Sequence, residues 1–271
     1  TKRMLDAYQD LCENTLAMPV LVGRKPEHEK FPGAVDTYCV EAMMQDGKAL
    51  QAGTSHFLGQ NFAKSANISF INNQGQSEYA YTTSWGVSTR LIGGVIMTHA
   101  DDDGMVVPPK IAPYQVVIVP VIKKQEDSDA VMAYINKLAA DLKKQAPFAE
   151  KIRIKIDRRD KASVDKFWEW TRKGAPVICE IGMRDVDGGK VMVKERTKLG
   201  TAEGKQIVSF DEFVSTITSR LKNMQKEIFS KAKNRLEQNI RTDISSPEDF
   251  KKYFSESNIW IEDGKPGKVA F

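Results

Sequence analysis

The sequence contains little that could cross-link, anchor or export the chain. Its three cysteines, Cys12, Cys39 and Cys179, are widely spaced and form no CxxC pair, so no disulfide framework or cysteine metal site is expected. The longest apolar runs, such as QVVIVPVI, are far shorter than a membrane span requires. The first ten residues include no apolar segment of the kind found in signal peptides. These absences favour a reducing compartment, and we expect a cytoplasmic protein.

A strong excess of either charge is also missing. The net charge of +4 does not by itself indicate nucleic-acid binding. Basic residues are nevertheless concentrated in the ranges 151–173 and 190–205. For any single lysine there, a solvated surface position is the simplest explanation, so charge alone leaves the function open.

The first part of the chain has the pattern of antiparallel hairpins with helices packed on them. Asp46-Gly47 is a dipeptide typical of a tight hairpin turn, and the residues on either side of it have strand composition. The predicted elements are a helix over 4–16, an extended segment over 17–26, two strands around Asp46-Gly47, a short helix over 59–67, a hairpin over 68–85 and an apolar helix with Ser88 and Thr89 as candidate caps.

A segment rich in acids and prolines, residues 101–114, interrupts this pattern and predicts a domain boundary. We divide the chain into 1–110, 111–208 and 209–271. The second part alternates strands and helices, which indicates a small mixed sheet with crossover helices, and APVICEIG is apolar enough for a central strand. The third part begins with a long amphipathic helix, for which Ser209 and Glu212 have capping-box spacing, and continues with a short helix and a strand.

Four polar side chains lie in a segment that otherwise resembles a core strand. Gln51, Thr54, Ser55 and His56 occur in ALQAGTSHFLG. Buried polar groups cost free energy unless they are hydrogen-bonded. These side chains therefore bind either one another or a ligand. A lone histidine in such a strand is more often a satisfied core residue.

The longer motifs resemble those of prolyl-tRNA synthetases of the archaeal and eukaryotic-like type. The matching stretches are QAGTSHFLGQNF and TSWGVSTRLIG, of which GVSTRLIGGVI is similar to motif 3 of class II aminoacyl-tRNA synthetases. KGAPVICEIGMRD resembles the anticodon-binding domain of the same group. The resemblance implies part of a class II α+β antiparallel catalytic sheet, an α/β anticodon-binding domain with a mixed sheet, and a C-terminal helical extension.

The resemblance also implies a reaction and its residues. ATP and L-proline would form prolyl-adenylate, and the prolyl group would pass to tRNA(Pro). The implied catalytic and ATP-binding residues are Gln51, Thr54, Ser88 and Arg90, with Mg²⁺ near Gln51, and the implied proline-binding residues are His56, Ser84, Trp85 and Gly86. Arg90 is the best supported of these, because a guanidinium binds phosphate oxygens well. At a helix start its charge would otherwise oppose the helix dipole.

Anticodon recognition is implied for the second domain. The matching residues are Lys166, Phe167, Glu169, Glu180 and Arg184. Aromatic and charged side chains on one face suit unpaired RNA bases. For Phe167 and Trp168, ordinary core packing is an equally good interpretation. Met183 departs from the proline usual in this motif.

Several parts of the family pattern do not occur in the sequence. Motif 1, motif 2 and a C-terminal zinc module are missing, so we expect a fragment of a longer cytoplasmic homodimeric enzyme that is inactive alone. A sheet without its remaining strands would expose edges and apolar faces, so we expect residues 1–110 to be unstable by themselves.

Two other interpretations of the whole chain remain open at this stage. The chain could be a non-catalytic tRNA-binding paralogue, or a sister class II synthetase for threonine, glycine or histidine. The acidic run Asp101–Asp103 could suggest a metal site, but a solvated turn is the better prediction.

Overall fold

The computed structural model describes residues 1–255, with side chains up to Tyr253. The strand predicted near the C-terminus lies outside these residues. The described chain divides into two compact units. Unit 1 contains Thr1–Thr98 and the described residues from Ala232 onward, and unit 2 contains His99–Lys231. The boundaries at 110 and 208 inferred from the sequence remain predictions.

Unit 1 is built on a four-stranded antiparallel sheet in the order β1-β2-β3-β6. Its elements are α1 (Lys2–Asp10), a π-helical turn (Leu11–Thr15), β1 (Val20–Arg24), a 3₁₀ turn (Glu27–Glu29), β2 (Asp36–Met43), β3 (Ala49–Gly59), α2 (Asn61–Ser65), β4 (Ser69–Ile71), β5 (Ser77–Tyr79), β6 (Thr82–Gly86) and α3 (Arg90–His99, its last residue in unit 2).

The predicted hairpin around Asp46-Gly47 joins β2 to β3, and Gly47 has a φ of +78°, which favours glycine. Helix α1 packs on one face of this hairpin. Gly53 lies under the Tyr8 ring, where an added Cβ would come within 3.1 Å of it. The absence of a side chain on Gly53 therefore allows the helix to approach the sheet.

The predicted hairpin over 68–85 is only partly correct. Strands β4 and β5 do pair around a turn at residues 72–76. The residues that follow form a separate strand, β6, which pairs with β3. This pairing delivers the SWG segment to the edge of the main sheet, next to the polar residues of β3.

Unit 2 has a five-stranded mixed sheet in the order β11-β10-β9-β7-β8. Its elements are β7 (Val116–Val121), a 3₁₀ turn (Gln125–Asp127), α4 (Ser128–Leu142), β8 (Ile154–Ile156), α5 (Ser163–Arg172), β9 (Val177–Gly182), α6 (Met183–Gly188), β10 (Lys190–Glu195), a 3₁₀ turn (Arg196–Lys198), β11 (Lys205–Ser209) and α7 (Phe210–Asn239), whose last turns belong to unit 1; α8 (Pro247–Ser255) follows in unit 1.

The mixed sheet predicted from the sequence is confirmed. Strand β7 is parallel to both β8 and β9, and β10 is antiparallel to β9. The APVICEIG segment forms the central strand β9, as predicted. Helix α5 covers one face, where Phe167 packs with Val117, Val119 and Ile178.

Helix α7 begins one residue later than the sequence indicated. Ser209 ends β11, and its Oγ accepts a hydrogen bond from the Glu212 backbone N–H at 3.2 Å, so it caps the helix as expected. Strand β11 and the short helix α6 were not predicted. In α6, the Asp185 carboxylate accepts a hydrogen bond from the Gly182 N–H at 2.9 Å, which stabilises the start of the helix.

A membrane-spanning helix is not found among residues 1–255, because no described helix combines sufficient length with sufficient apolar character.

Candidate functional site

The polar residues of β3 fall on two faces of the unit 1 sheet. Partners in antiparallel strands point to the same face, and successive residues alternate. Thr54 pairs with Cys39 and Gly86, and His56 pairs with Thr37 and Ser84. One face of the sheet therefore presents Thr54, His56 and Ser84 together.

A bulge extends this face by one more residue. The register of β2 and β3 shifts between Val40 and Glu41, so Gln51 lies opposite Glu41. Without this shift the alternation would direct Gln51 to the other face. Among the described residues, the side chains of Gln51 and Thr54 have no hydrogen-bond partner. They are therefore available to a ligand.

Ser55 lies on the opposite face and has a structural role. It is fully buried, and its Oγ donates a hydrogen bond to the Thr1 backbone oxygen at 2.9 Å. Trp85 is the strand partner of Ser55, so its side chain starts on this face and is 54% exposed. The sheet thus brings Ser84, but not Trp85, to the face of His56.

Arg90 lies at the start of α3, and its side chain reaches the strand. Its Nη1 donates a hydrogen bond to the backbone oxygen of Gln51 at 3.2 Å, and its backbone N–H donates to Ser88 Oγ at 3.3 Å. Within residues 1–253, no carboxylate lies within ion-pair distance of the guanidinium. Three predicted residues, Gln51, Ser88 and Arg90, are therefore neighbours, and the positive charge among them is not neutralised.

His56 is held by Thr37 of β2 and by Phe31 in the segment before β2, neither of which the sequence singled out. Its Nδ1 lies 3.0 Å from Thr37 Oγ1, and that hydroxyl accepts a hydrogen bond from the Phe31 backbone N–H at 3.2 Å. The Thr37 hydroxyl keeps its own proton to donate to Nδ1, an arrangement that fits the neutral ring with its proton on Nε2. The Phe31 ring packs against the imidazole with centroids 4.9 Å apart. Burial lowers the pKa of His56, in agreement with the neutral form.

A cleft of about 310 Å³ opens beside this face of the sheet. Its lining includes Lys25, Cys39 and Glu41. Lys25 Nζ binds the Glu41 carboxylate at 3.3 Å and the Glu29 carboxylate at 3.1 Å, so this lysine is fully paired. Burial raises the pKa of the Cys39 thiol to about 11, which makes it unreactive near neutral pH.

The residues predicted in unit 2 have different environments. Lys166 and Phe167 are buried; Lys166 Nζ donates a hydrogen bond to the Asp157 backbone oxygen at 3.3 Å. Glu169 is half-buried between Arg159, at 2.7 Å, and Lys161. Lys161 and then Arg159 lower its pKa, so the carboxylate stays ionised at neutral pH.

Glu180 lies on the same face of the sheet as Phe167. Its carboxylate is 2.5 Å from Lys194 Nζ, which also lies 3.7 Å from the centre of the Phe167 ring. Arg184, on α6, is exposed. The structure therefore groups Phe167, Glu180 and Lys194, and Lys194 is a member of this cluster that sequence reasoning missed.

Asp101–Asp103 form an exposed turn, as predicted, and Asp101 has a structural role as well. Residues 101 and 104 do form a tight turn, but both carboxylate oxygens of Asp101 bind the guanidinium of Arg196, with Nη1 at 2.8 Å. The Arg196 side chain is only 1% exposed. In the described part of the chain, no cluster of acidic, histidine or cysteine side chains could hold a metal ion.

Comparison with known proteins supports the assignment of both units. Residues 115–220 match the model of the anticodon binding domain family. The chain is 48% identical to proline–tRNA ligase of Novosphingobium aromaticivorans over 97% of its own length and 52% of that protein. It is 50% identical to the proline–tRNA ligase of Paramagnetospirillum magneticum over 96% of its length and 51% of that protein. The chain thus spans about half the length of these curated relatives.

Solved structures agree with the sequence relatives. The fold is similar to prolyl-tRNA synthetase from Cryptosporidium parvum complexed with L-proline and AMP, with a TM-score of 0.79 and 37% identity over 89% of this chain and 50% of that one. A complex of a Cryptosporidium parvum prolyl-tRNA synthetase with halofuginone and AMPPNP gives a TM-score of 0.80 and 38% identity, over 89% of this chain and 47% of that one.

The antiparallel sheet of unit 1 and the anticodon-binding match in unit 2 make the chain similar to aminoacyl-tRNA synthetases. Within that class, the chain is homologous to the proline–tRNA ligases over the half of their length that it spans.

Proposed function

We propose that the chain belongs to an enzyme that activates L-proline with ATP and transfers the prolyl group to tRNA(Pro). The observation that carries this proposal is the shared face of Gln51, Thr54 and His56, with the unpaired charge of Arg90 beside it. A non-catalytic tRNA-binding protein would have no physical need for these groups. We further propose a cytoplasmic homodimer, as is usual for this family.

Adenylate formation brings together two anions, the proline carboxylate and the α-phosphate of ATP. The protein contributes alignment and charge neutralisation rather than covalent chemistry. Arg90, next to the Gln51 carbonyl, would bind phosphate oxygens as pyrophosphate leaves. The free side chains of Gln51 and Thr54 would bind the nucleotide from the sheet, and Ser88, at the start of α3, would orient Arg90.

The residues on this face fit a magnesium ion that arrives with the nucleotide. Gln51 offers an amide oxygen, and the carboxylate of its strand partner Glu41 lies nearby, bound to Lys25 at 3.3 Å. Mg²⁺ usually takes few protein ligands and fills its other positions with phosphate oxygens and water. When bound, the ion would neutralise charge on the phosphates. Zinc remains an expectation only for a C-terminal module outside this sequence.

For proline, the proposed contact is the Nε2–H of neutral His56, with Ser84 and Gly86 beside it in β6. Burial favours the neutral ring, and Thr37 Oγ1 lies 3.0 Å from its Nδ1. Trp85 remains a proposed wall of this pocket, although its strand position starts it on the other face of the sheet. In unit 2, we propose that Lys166, Phe167, Glu169, Glu180 and Arg184 contribute to recognition of the anticodon.

The protonation of His56 predicts a pH dependence. Its pKa lies below the ordinary value of about 6.5. As the pH falls below that value, the unfolded chain takes up this proton first, so the contribution of His56 to folding stability decreases toward acid. We expect kcat/KM for proline to fall once the pH reaches the lowered pKa. Steady-state kinetics between pH 5 and 8 measures this acid limb.

Thr37→Val is the matched variant for this prediction. Loss of the hydroxyl removes the donor that favours the unprotonated Nδ1, so the acid limb should move to higher pH. An acid limb at the same pH in both proteins would contradict the assigned role of Thr37.

The direct test of the proposed activity is ATP–pyrophosphate exchange with a panel of amino acids. The longest natural polypeptide that contains this chain is assayed with proline, threonine, glycine, histidine and alanine, alongside the 271-residue chain. We expect the long polypeptide to catalyse exchange with proline and with none of the other four amino acids. Exchange selective for another amino acid would assign a sister synthetase, and no exchange with retained tRNA binding would leave a non-catalytic paralogue.

A further inference from the structure

One exposed aromatic side chain on α5 is absent from the predicted set of anticodon residues. Trp168 is 42% exposed, and Val164, one helical turn earlier, is 57% exposed. The neighbouring Phe167 and Thr171 are buried against the sheet. Helix α5 therefore presents a small apolar surface, Val164 and Trp168, on the side that faces away from the core.

The fold of unit 2 does not account for an indole at this position. The other tryptophan of the helix, Trp170, donates a hydrogen bond to Asp157 Oδ2 at 2.8 Å and packs edge-on against Tyr114. Within the described residues, the Nε1 of Trp168 has no acceptor. Its one ring contact is an edge-to-face contact with Phe167, with centroids 5.3 Å apart and planes at 69°.

The charged groups next to the Phe167 ring are of the kinds that bind nucleic acids. Lys194 Nζ lies 3.7 Å from the centre of the Phe167 ring and binds the Glu180 carboxylate at 2.5 Å. The exposed Trp168 ring, the partly buried Lys194 and the buried Glu180 carboxylate are therefore linked through Phe167. Single-stranded RNA is recognised by such combinations, because bases stack on rings, phosphates bind cations and carboxylates accept hydrogen bonds from exocyclic amino groups.

We propose that Trp168 stacks on an unpaired base of the tRNA anticodon loop. This inference rests on the proposed function of unit 2 and extends it by one residue. Phe167 is buried in the core, so it positions Lys194 and supports the indole. Trp168 is the aromatic ring of this cluster that a base can reach.

The test measures the dissociation constant of tRNA(Pro), and of its anticodon stem-loop, by fluorescence anisotropy. The protein is the longest natural polypeptide that contains this chain. Trp168→Ala should weaken binding roughly tenfold, since one stacked base contributes measurably to affinity. Trp168→Phe keeps a ring and should stay within about threefold of the parent. Trp168→Leu keeps apolar area without a ring and should resemble the alanine variant.

Two controls separate this inference from the proposed function. Phe70→Ala removes a ring of similar exposure (48%) from unit 1 and should leave binding unchanged. Proline-dependent ATP–pyrophosphate exchange without tRNA should be the same in all variants. If the parent fails to bind tRNA(Pro), the proposed function itself is wrong.

If the parent binds and Trp168→Ala binds equally well, only the inference about Trp168 is wrong. Equal binding by Trp168→Leu and the parent would also overturn it, because packing rather than stacking would then explain the effect. Self-association that the alanine variant abolishes, with no change in RNA affinity, would instead assign the surface to a second copy of the chain.

Discussion

Replacing Arg90 by alanine is expected to lower proline-dependent ATP–pyrophosphate exchange by about 10²- to 10³-fold, the usual cost of losing one group that stabilises charge in a transition state. The reason is the position of the guanidinium, 3.2 Å from the Gln51 carbonyl and without a carboxylate partner in the described residues. Lysine keeps the charge but not the forked geometry, so Arg90→Lys should recover only part of the rate. The rate of exchange at saturating proline and ATP measures this effect.

Arg3→Ala is the matched control for this variant. Arg3 is exposed on α1, which covers the opposite face of the sheet. Its loss should change the rate by less than about twofold, since exposed charges contribute little. Equal rates for the Arg90→Ala variant and the parent would remove Arg90 from the proposed site.

Replacing Arg196 by alanine is expected to destabilise unit 2 by about 1–3 kcal/mol, the usual cost of leaving buried hydrogen-bonding groups without a partner, because Arg196 is buried although the Asp101 carboxylate is 44% exposed. Arg196 follows β10, and its side chain binds the segment that follows α3. Besides Asp101, its guanidinium donates to the backbone oxygens of Met105 at 3.0 Å, Gly104 at 3.2 Å and Thr171 at 3.3 Å. Alanine would leave these acceptors and the Asp101 carboxylate without their donor.

The loss of unfolding free energy in unit 2 is measured by urea unfolding, with hydrogen exchange of the β7 and β9 amides as the probe. Arg158→Ala is the control, because Arg158 is exposed and makes one hydrogen bond to Asn136 at 2.9 Å. The hydrogen bond from Arg196 lowers the pKa of Asp101. The stabilisation is therefore complete above the ordinary aspartate pKa and is lost as the pH falls through the lowered value. A change below about 1 kcal/mol for Arg196→Ala would contradict the structural role assigned to the pair.

Local patterns predicted the elements that local chemistry determines. The Asp46-Gly47 turn, the strand APVICEIG and the Ser209 cap each depend on a few adjacent residues, and all three occur as predicted. Strand β6 was assigned to the wrong hairpin because its partner, β3, lies about thirty residues earlier in the chain. Such a pairing leaves no periodic signal in the sequence.

The site followed from resemblance rather than from spacing. The polar pattern of β3 raised the choice between internal partners and a ligand, and the structure gives both answers. Ser55 has an internal partner, whereas Gln51 and Thr54 have none among the described residues. Adjacent aromatic residues on a helix, such as Phe167 and Trp168, could not be assigned to core or surface until the helix was placed on its sheet. The Asp101–Arg196 pair joins residues 95 positions apart, so the sequence could not indicate it.

We propose that unit 1 activates proline and that unit 2 reads the anticodon of the same tRNA. The most direct test is aminoacylation by the longest natural polypeptide that contains this chain, with tRNA(Pro) and with the same tRNA carrying another anticodon. We predict that proline is attached to tRNA(Pro) and that replacement of the anticodon reduces kcat/KM by about tenfold or more, since lost base contacts each weaken recognition. Failure to attach proline to either tRNA would contradict the account.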